Sequence, residues 1–253
     1  MAFLGAAADR GSGVTVAGFI VTGTDSKTVV LRGLGPTLMQ FGVTGFLADP
    51  TLQLFDGSGH PLWFNDNWKD TQQAQIQATG LAAPHDLESA ILQILQPGHY
   101  TAILAGKNGT TGVGLVEVYD IGPGVFAELT NVSTRGFVGT GQQVMIGGFI
   151  TSGGNGATQV LVRGLGPTLT QFGVSGALAD PAVTLVDGNG NVVRTNNDWK
   201  NTQQAAIEAT GLAPPNDLEA AILATVAAGH YTAVLSDNGG GRGIGLVEVY
   251  KLR

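Results

Sequence analysis

The chain has 253 residues, enough for two domains of ordinary size that each bury a core. Its 43% hydrophobic content excludes a disordered chain, and a net charge of −7 without a Lys/Arg cluster argues against a nucleic-acid partner. No apolar run is long enough for a membrane-spanning helix, and the lack of cysteine excludes disulfides, thiolate metal sites and cysteine nucleophiles.

The first ten residues, Met1 to Arg10, lack the basic start and the long apolar run of a signal peptide, and they read as an N-terminal strand or arm. Such an arm can dock on its own domain or complete the sheet of a neighbour, with Phe3 and Leu4 as its candidate partner contacts. Val14–Val21 and Thr28–Arg32 are β-branched runs with turn residues between them. Pro50–Phe55 alternates, and Asp56-Gly57-Ser58-Gly59 turns the chain. Trp63 follows at a position alternating with exposed ones, which makes it a candidate ligand or partner contact.

One short helix is expected next, with Asp70 as N-cap, Gln73 completing a capping box, and Gly80 closing the far end so that Leu81 packs back on Ile76. Three strands finish the unit: Leu87–Leu95, His99–Ala105 and Val113–Tyr119. The turn Gln96-Pro97-Gly98 predicts a hairpin between the first two.

Everything from Arg32-Gly33-Leu34-Gly35-Pro36-Thr37-Leu38 to the Gly-Leu-Val-Glu-Val-Tyr that ends at Tyr119 then returns 131 residues later, ending at Tyr250. Roughly three positions in five are identical, and a repeat of this length is a whole domain rather than a solenoid unit. The linker Asp120–Gly124 puts the boundary between 1–122 and 123–253. About seven strands per copy argue for an all-β pair of antiparallel sandwiches, each with one inserted helix.

Asp49-Pro50-x-Leu52-x-Leu54-x-Asp56-Gly57-x-Gly59, Asn65-Asp66-x-Trp68 and Pro97-Gly98-His99-Tyr100-Thr101, repeated through Asp180, Asp187, Gly190, Asn196, Trp199, Gly229 and Tyr231, resemble the bacterial pre-peptidase C-terminal domain. The chain is also similar to modules repeated in large secreted bacterial surface proteins. The resemblance implies jelly-roll-like sandwiches, export to the bacterial cell surface or beyond, and an accessory, adhesive or structural role.

Candidate metal ligands are Asp49, Asp56, Asp66, Asp86 and Glu88 in the first copy, and Asp180, Asp187, Asp198, Asp217 and Glu219 in the second. Calcium takes six to eight hard oxygens, which loops at one end of a sandwich can supply; the same acids in Asp-Gly and Asn-Asp turns also cap backbone groups. Arg32 with Glu117, and Arg163 with Glu248, are expected to form buried ion pairs, because both charges lie on otherwise apolar strands in both copies. Trp68 and Trp199 read as lids on the core, the alternative being sugar-stacking platforms. His60, His85, His99 and His230 give no metal-ligand spacing, and no nucleophile elbow, zinc-protease motif or phosphate loop occurs. The expectation is a non-enzymatic structural protein, without cofactor or with calcium, that assembles with itself head-to-tail by strand addition from the arm to the final strand. The alternative is a calcium-assisted module that binds a surface glycan.

Overall fold

The computed structural model describes residues 13–122, 126–141, 143–151 and 157–252 in full, and 2–9 as backbone. The contacts divide the chain into two compact units, Met1–Val132 and Ser133–Arg253. The division falls about ten residues beyond the linker that marks the boundary in the sequence.

In the first unit, β1 (Ala2–Asp9), β8 (Gly112–Asp120), β3 (Lys27–Leu34) and β6 (Ser89–Leu95) lie side by side in that order, all antiparallel. The second sheet runs β2 (Val14–Gly23), β7 (Gly98–Gly106), β4 (Pro50–Asp56) and β5 (Pro61–Asn65). First beside last, second beside next-to-last, and so inward, is the strand order of an eight-stranded jelly roll. The second copy repeats it with β9 (Ala127–Val138), which spans the division between the units, and β16 (Gly243–Lys251), β11 (Thr158–Leu165) and β14 (Ala220–Val226) in one sheet. Its other sheet contains β10 (Met145–Thr151), β15 (Gly229–Asp237), β12 (Pro181–Asp187) and β13 (Val192–Asn196). The fold is all-β and antiparallel, with short helices.

Alternation puts Leu52 and Leu54, like Val183 and Leu185, on the inward face of their strands, where all four are buried. Strand β3 is buried on both faces, which a simple sandwich strand is not. Its inward residues Val29 and Leu31 meet the opposite sheet. Its outward residue Leu34 packs, with Ala90, under Trp68, Ile76 and Ala83 of the long β5–β6 connection. The corresponding cover in the second unit is Trp199 and Ile207 on Leu161 and Ala221. Both recurring tryptophans are therefore lids.

Three local expectations need correction. The helix α1 (Gln73–Ala78) begins after Gln72 without a side-chain cap, and Asp70 instead accepts from Asn67 Nδ2 at 3.1 Å. Gln72 is used sideways: its amide accepts from Leu92 N at 3.0 Å and donates to Leu92 O at 2.9 Å, riveting the helix to β6. Gln96-Pro97-Gly98 does not close a hairpin, because β6 pairs with β3 while β7 pairs with β2 and β4 in the other sheet. The turn carries the chain between layers. The final strand is not open either: β16 lies between β11 and β9, so its backbone is engaged on both sides.

The arm is β1, registered along β8 with Phe3 opposite Val118 and Leu4 opposite Glu117. It docks on its own unit. The side chains of Phe3 and Leu4 lie outside the described residues.

Candidate functional site

The acids proposed as metal ligands separate into four environments. Glu88 is fully buried and faces the Gly35-Pro36-Thr37 corner of the repeated motif. Its Oε1 accepts from Gly35 N at 3.0 Å and Thr37 N at 2.8 Å, and its Oε2 from Thr37 Oγ1 at 2.8 Å and His85 N at 3.1 Å. Glu219 repeats the arrangement with Gly166, Thr168 and Asn216. The motif is thus a nest of backbone donors closed by an internal carboxylate. Gly35 is required there because a Cβ would stand 2.0 Å from Leu47 O. With four donors on two oxygens, Glu88 and Glu219 are spent, which corrects their reading as metal ligands. Sequence reasoning missed this role, although identical spacing of Gly35 to Glu88 and Gly166 to Glu219 was the available signal.

Asp56 and Asp187 cap their own turns. Asp56 Oδ1 accepts from Ser58 N and His60 N, both at 2.9 Å, and the His60 amide chiefly holds this carboxyl below its ordinary range. Asp187 does the same with Asn189 and Asn191, the Asn191 side chain contributing most to the lowering. Asp86 and Asp217 stand exposed and pair with Lys69 at 2.5 Å and Lys200 at 2.6 Å. Each lysine also rides on the neighbouring lid, 5.4 Å from the Trp68 ring and 5.3 Å from the Trp199 ring.

Only Asp49 and Asp66 come together, and they do so around Lys107 Nζ, at 3.6 and 2.5 Å. Their hydrogen-bonding contact holds the Lys107 ammonium above the ordinary lysine range, Asp66 first. One oxygen of each, and Asn67 Oδ1, is buried without a hydrogen-bond partner. In the second unit Asn238 takes the place of Lys107 and bonds Asp180 Oδ2 at 3.0 Å, while Asp180 Oδ1 stays buried without a partner. Asp198 is held by Asn197 and Asn201. The ten acids do not converge: among the described residues no three acidic or histidine side chains form a metal-sized group.

The Arg/Glu pairs sit on the outward face of β3 and β8, or β11 and β16, beneath the helical cover. Arg32 Nε donates to Glu117 Oε2 at 2.5 Å, and its Nη1 reaches the carbonyls of Leu81 and Ala82 at 3.3 and 3.2 Å. Nη2 donates to the Tyr119 oxygen at 3.0 Å, and the Tyr119 hydroxyl donates to Glu117 Oε1 at 3.0 Å. Burial pushes the Glu117 carboxyl up, opposed by the Arg32 charge, and pushes Tyr119 up to about 12. Arg163, Glu248 and Tyr250 repeat the triad, with Tyr250 also pushed up to about 12. Every donor finds an acceptor inside the fold, so the triad works as a rivet between cover and sheet.

The remaining candidate is surface. On β5, Leu62, Trp63 and Phe64 are all exposed, Phe64 by 54%. The strand pairs with β4 on one side and ends its sheet on the other. In the second unit β13 ends its sheet likewise and exposes Val192, by 61%, and Val193. Phe41 and Phe172, 75% and 77% exposed at the ends of equivalent 3-10 turns, add further apolar surface. A cleft of about 570 Å³ in the second unit, lined by Gln159, Ala206, Ala209, Thr210, Leu223 and Leu252, holds no charged side chain.

No family model matches the chain, and neither does any curated protein. Among solved structures, the crystal structure of the STIV MCP has a TM-score of 0.25 at 11% identity, covering 98% of this chain and 87% of that one. A chain from the atomic structure of Sulfolobus Turreted Icosahedral Virus has a TM-score of 0.25 at 10% identity, covering 99% and 88%. Bacillus subtilis oxalate decarboxylase has a TM-score of 0.17 at 9% identity, covering 93% and 66%. Likenesses this distant carry no argument about the chain.

Proposed function

We propose that this chain is a non-enzymatic structural protein that assembles with copies of itself, as an extracellular or surface component, by adding strand to strand at its sheet edges. The observation that supports this reading is the pair of uncovered apolar edge strands, β5 and β13, at equivalent places in the two units. Single-chain β proteins blunt such edges with lysine, proline, bulges or cover, because an unpaired row of N–H and C=O groups templates another strand. Within β5 there is no charge and the proline stands first, β13 has one arginine, and each carries a single register shift against its neighbour while leaving large apolar side chains exposed. The arm and the final strand are paired within their units, so they are withdrawn as the joining elements. Sedimentation velocity from about 1 μM to about 1 mM spans the affinities expected of edge contacts. Growth of the assembled species with concentration supports the proposal, and a single monomer boundary throughout contradicts it.

A second reading is a calcium-assisted module for a surface glycan, supported by the buried, unpartnered Oδ1 atoms of Asp49, Asp66 and Asp180. Buried carboxylate oxygens without donors are costly unless a cation or water meets them. Calcium uptake in a calorimetric titration, weakened by Asp180→Asn, supports this reading; absence of heat at millimolar calcium removes it.

A further inference from the structure

Resting on the self-assembly reading, we infer that the joint is heterologous: β5 of one copy pairs antiparallel with β13 of the next, with Trp63 opposite Arg194. The two positions are equivalent in the repeat, Trp63 facing Leu54 and Arg194 facing Leu185 on the neighbouring strands. Each lies next to a register shift that leaves one extra residue on its strand, Leu62 on β5 and Val193 on β13, so their free backbone groups point the same way and an antiparallel pair centred on them sets each bulge against the regular half of the other edge. That register sets Phe64 against the bulged Val193 and the bulged Leu62 against Thr195. At its centre it lays the Arg194 guanidinium on the Trp63 indole, the best aromatic acceptor for a cation.

Charge selects this joint over the two symmetric ones. Joining β13 to β13 in the same register sets Arg194 against Arg194, and like charges directly opposite are unfavourable. Among the described residues Arg194 has no carboxylate partner of its own. Joining β5 to β5 brings together two first units, each with five basic residues against eleven acidic ones, a net of −6. The second unit has seven basic residues against eight acidic ones, a net of −1. The mixed joint thus avoids both the Arg194–Arg194 contact and the meeting of two −6 units while gaining a cation–aromatic contact. A heterologous joint propagates, giving open chains or a ring rather than stopping at a dimer.

The test uses the full chain, its variants Trp63→Arg and Arg194→Glu, and the double variant, each checked for an unchanged melting temperature. Sedimentation velocity and negative-stain electron microscopy read the assembly. Trp63→Arg sets two guanidinium groups face to face and is expected to weaken association at least tenfold. Arg194→Glu leaves a carboxylate over the indole and weakens it too; the double variant restores a cation–anion pair and recovers assembly. Wild-type chains or rings that persist unchanged in Trp63→Arg would overturn this joint while leaving self-assembly standing. Wild-type dimers indifferent to Arg194→Glu would overturn it in favour of β5 with β5. A wild type that stays monomeric would remove the self-assembly reading, and this joint with it.

Discussion

Replacing Glu88 by Gln tests the internal nest without changing its volume. The carboxylate accepts four bonds, three from backbone N–H groups and one from Thr37 Oγ1. An amide keeps one oxygen, so its NH2 must face at least one of the backbone donors, and orphaning a buried donor costs about 1–3 kcal/mol. The remaining bonds lose their ionic character, at about 1 kcal/mol each, partly offset because a neutral group is cheaper to bury. The net loss is about 2–4 kcal/mol. For a unit of about 120 residues, 1 kcal/mol moves the melting temperature by roughly 4 °C, so differential scanning calorimetry should show a drop of about 8–16 °C. Glu219→Gln should produce a comparable drop in the second unit, because its partners and distances are nearly the same. A drop smaller than about 2 °C in both variants would refute the claim that the motif depends on a charged acceptor.

Other outcomes follow from the same geometry. Gly35→Ala drives a Cβ into the Leu47 carbonyl and should cost more than about 3 kcal/mol by chemical denaturation, whereas Ala in place of Gly98, whose nearest neighbour is 3.7 Å away, should cost under about 1 kcal/mol. Tyr119 and Tyr250 have folded values raised above the unfolded one, so their contribution is fully present below pH ~10 and is lost as pH rises through about 12. Discounted for partial exposure, it amounts to about 1–2 kcal/mol each. Ultraviolet absorbance should show two tyrosines ionising late, and Tyr119→Phe with Tyr250→Phe should flatten the fall of stability above pH 10. Lys27 Nζ meets Asp120 Oδ1 at 2.8 Å with both side chains nearly buried. Asp120→Ala strands the lysine and should cost about 3–5 kcal/mol by urea denaturation, while Lys27→Met with Asp120→Leu should recover most of it.

Period and repetition made much of this protein legible. Leu52 and Leu54 against the variable Gln53 gave away the core face, since successive residues of a strand point to opposite faces regardless of what the strand pairs with. Two charges kept on apolar strands in both copies pointed to Arg32 with Glu117 and Arg163 with Glu248, because an unpaired buried charge is too costly to repeat. Which strand lies beside which was not legible. Gln96-Pro97-Gly98 has the composition of a hairpin turn whether it joins neighbours or crosses between layers, and only long-range pairing separates the two.

The acids show the same limit. Asp56 could be assigned to its turn, since its partners lie two and four residues away. Glu88 could not, since its donors at Gly35 and Thr37 lie 53 and 51 residues away. By itself the sequence determined the strand content, the duplication and the buried faces, all of which depend on local alternation. Tertiary structure alone decided that the arm and final strand are occupied, that the motif closes on an internal carboxylate, and that Trp63 and Arg194 occupy matching free edges. Those outcomes depend on which distant segments meet, and backbone pairing, unlike periodicity, leaves no local mark on the residues that take part.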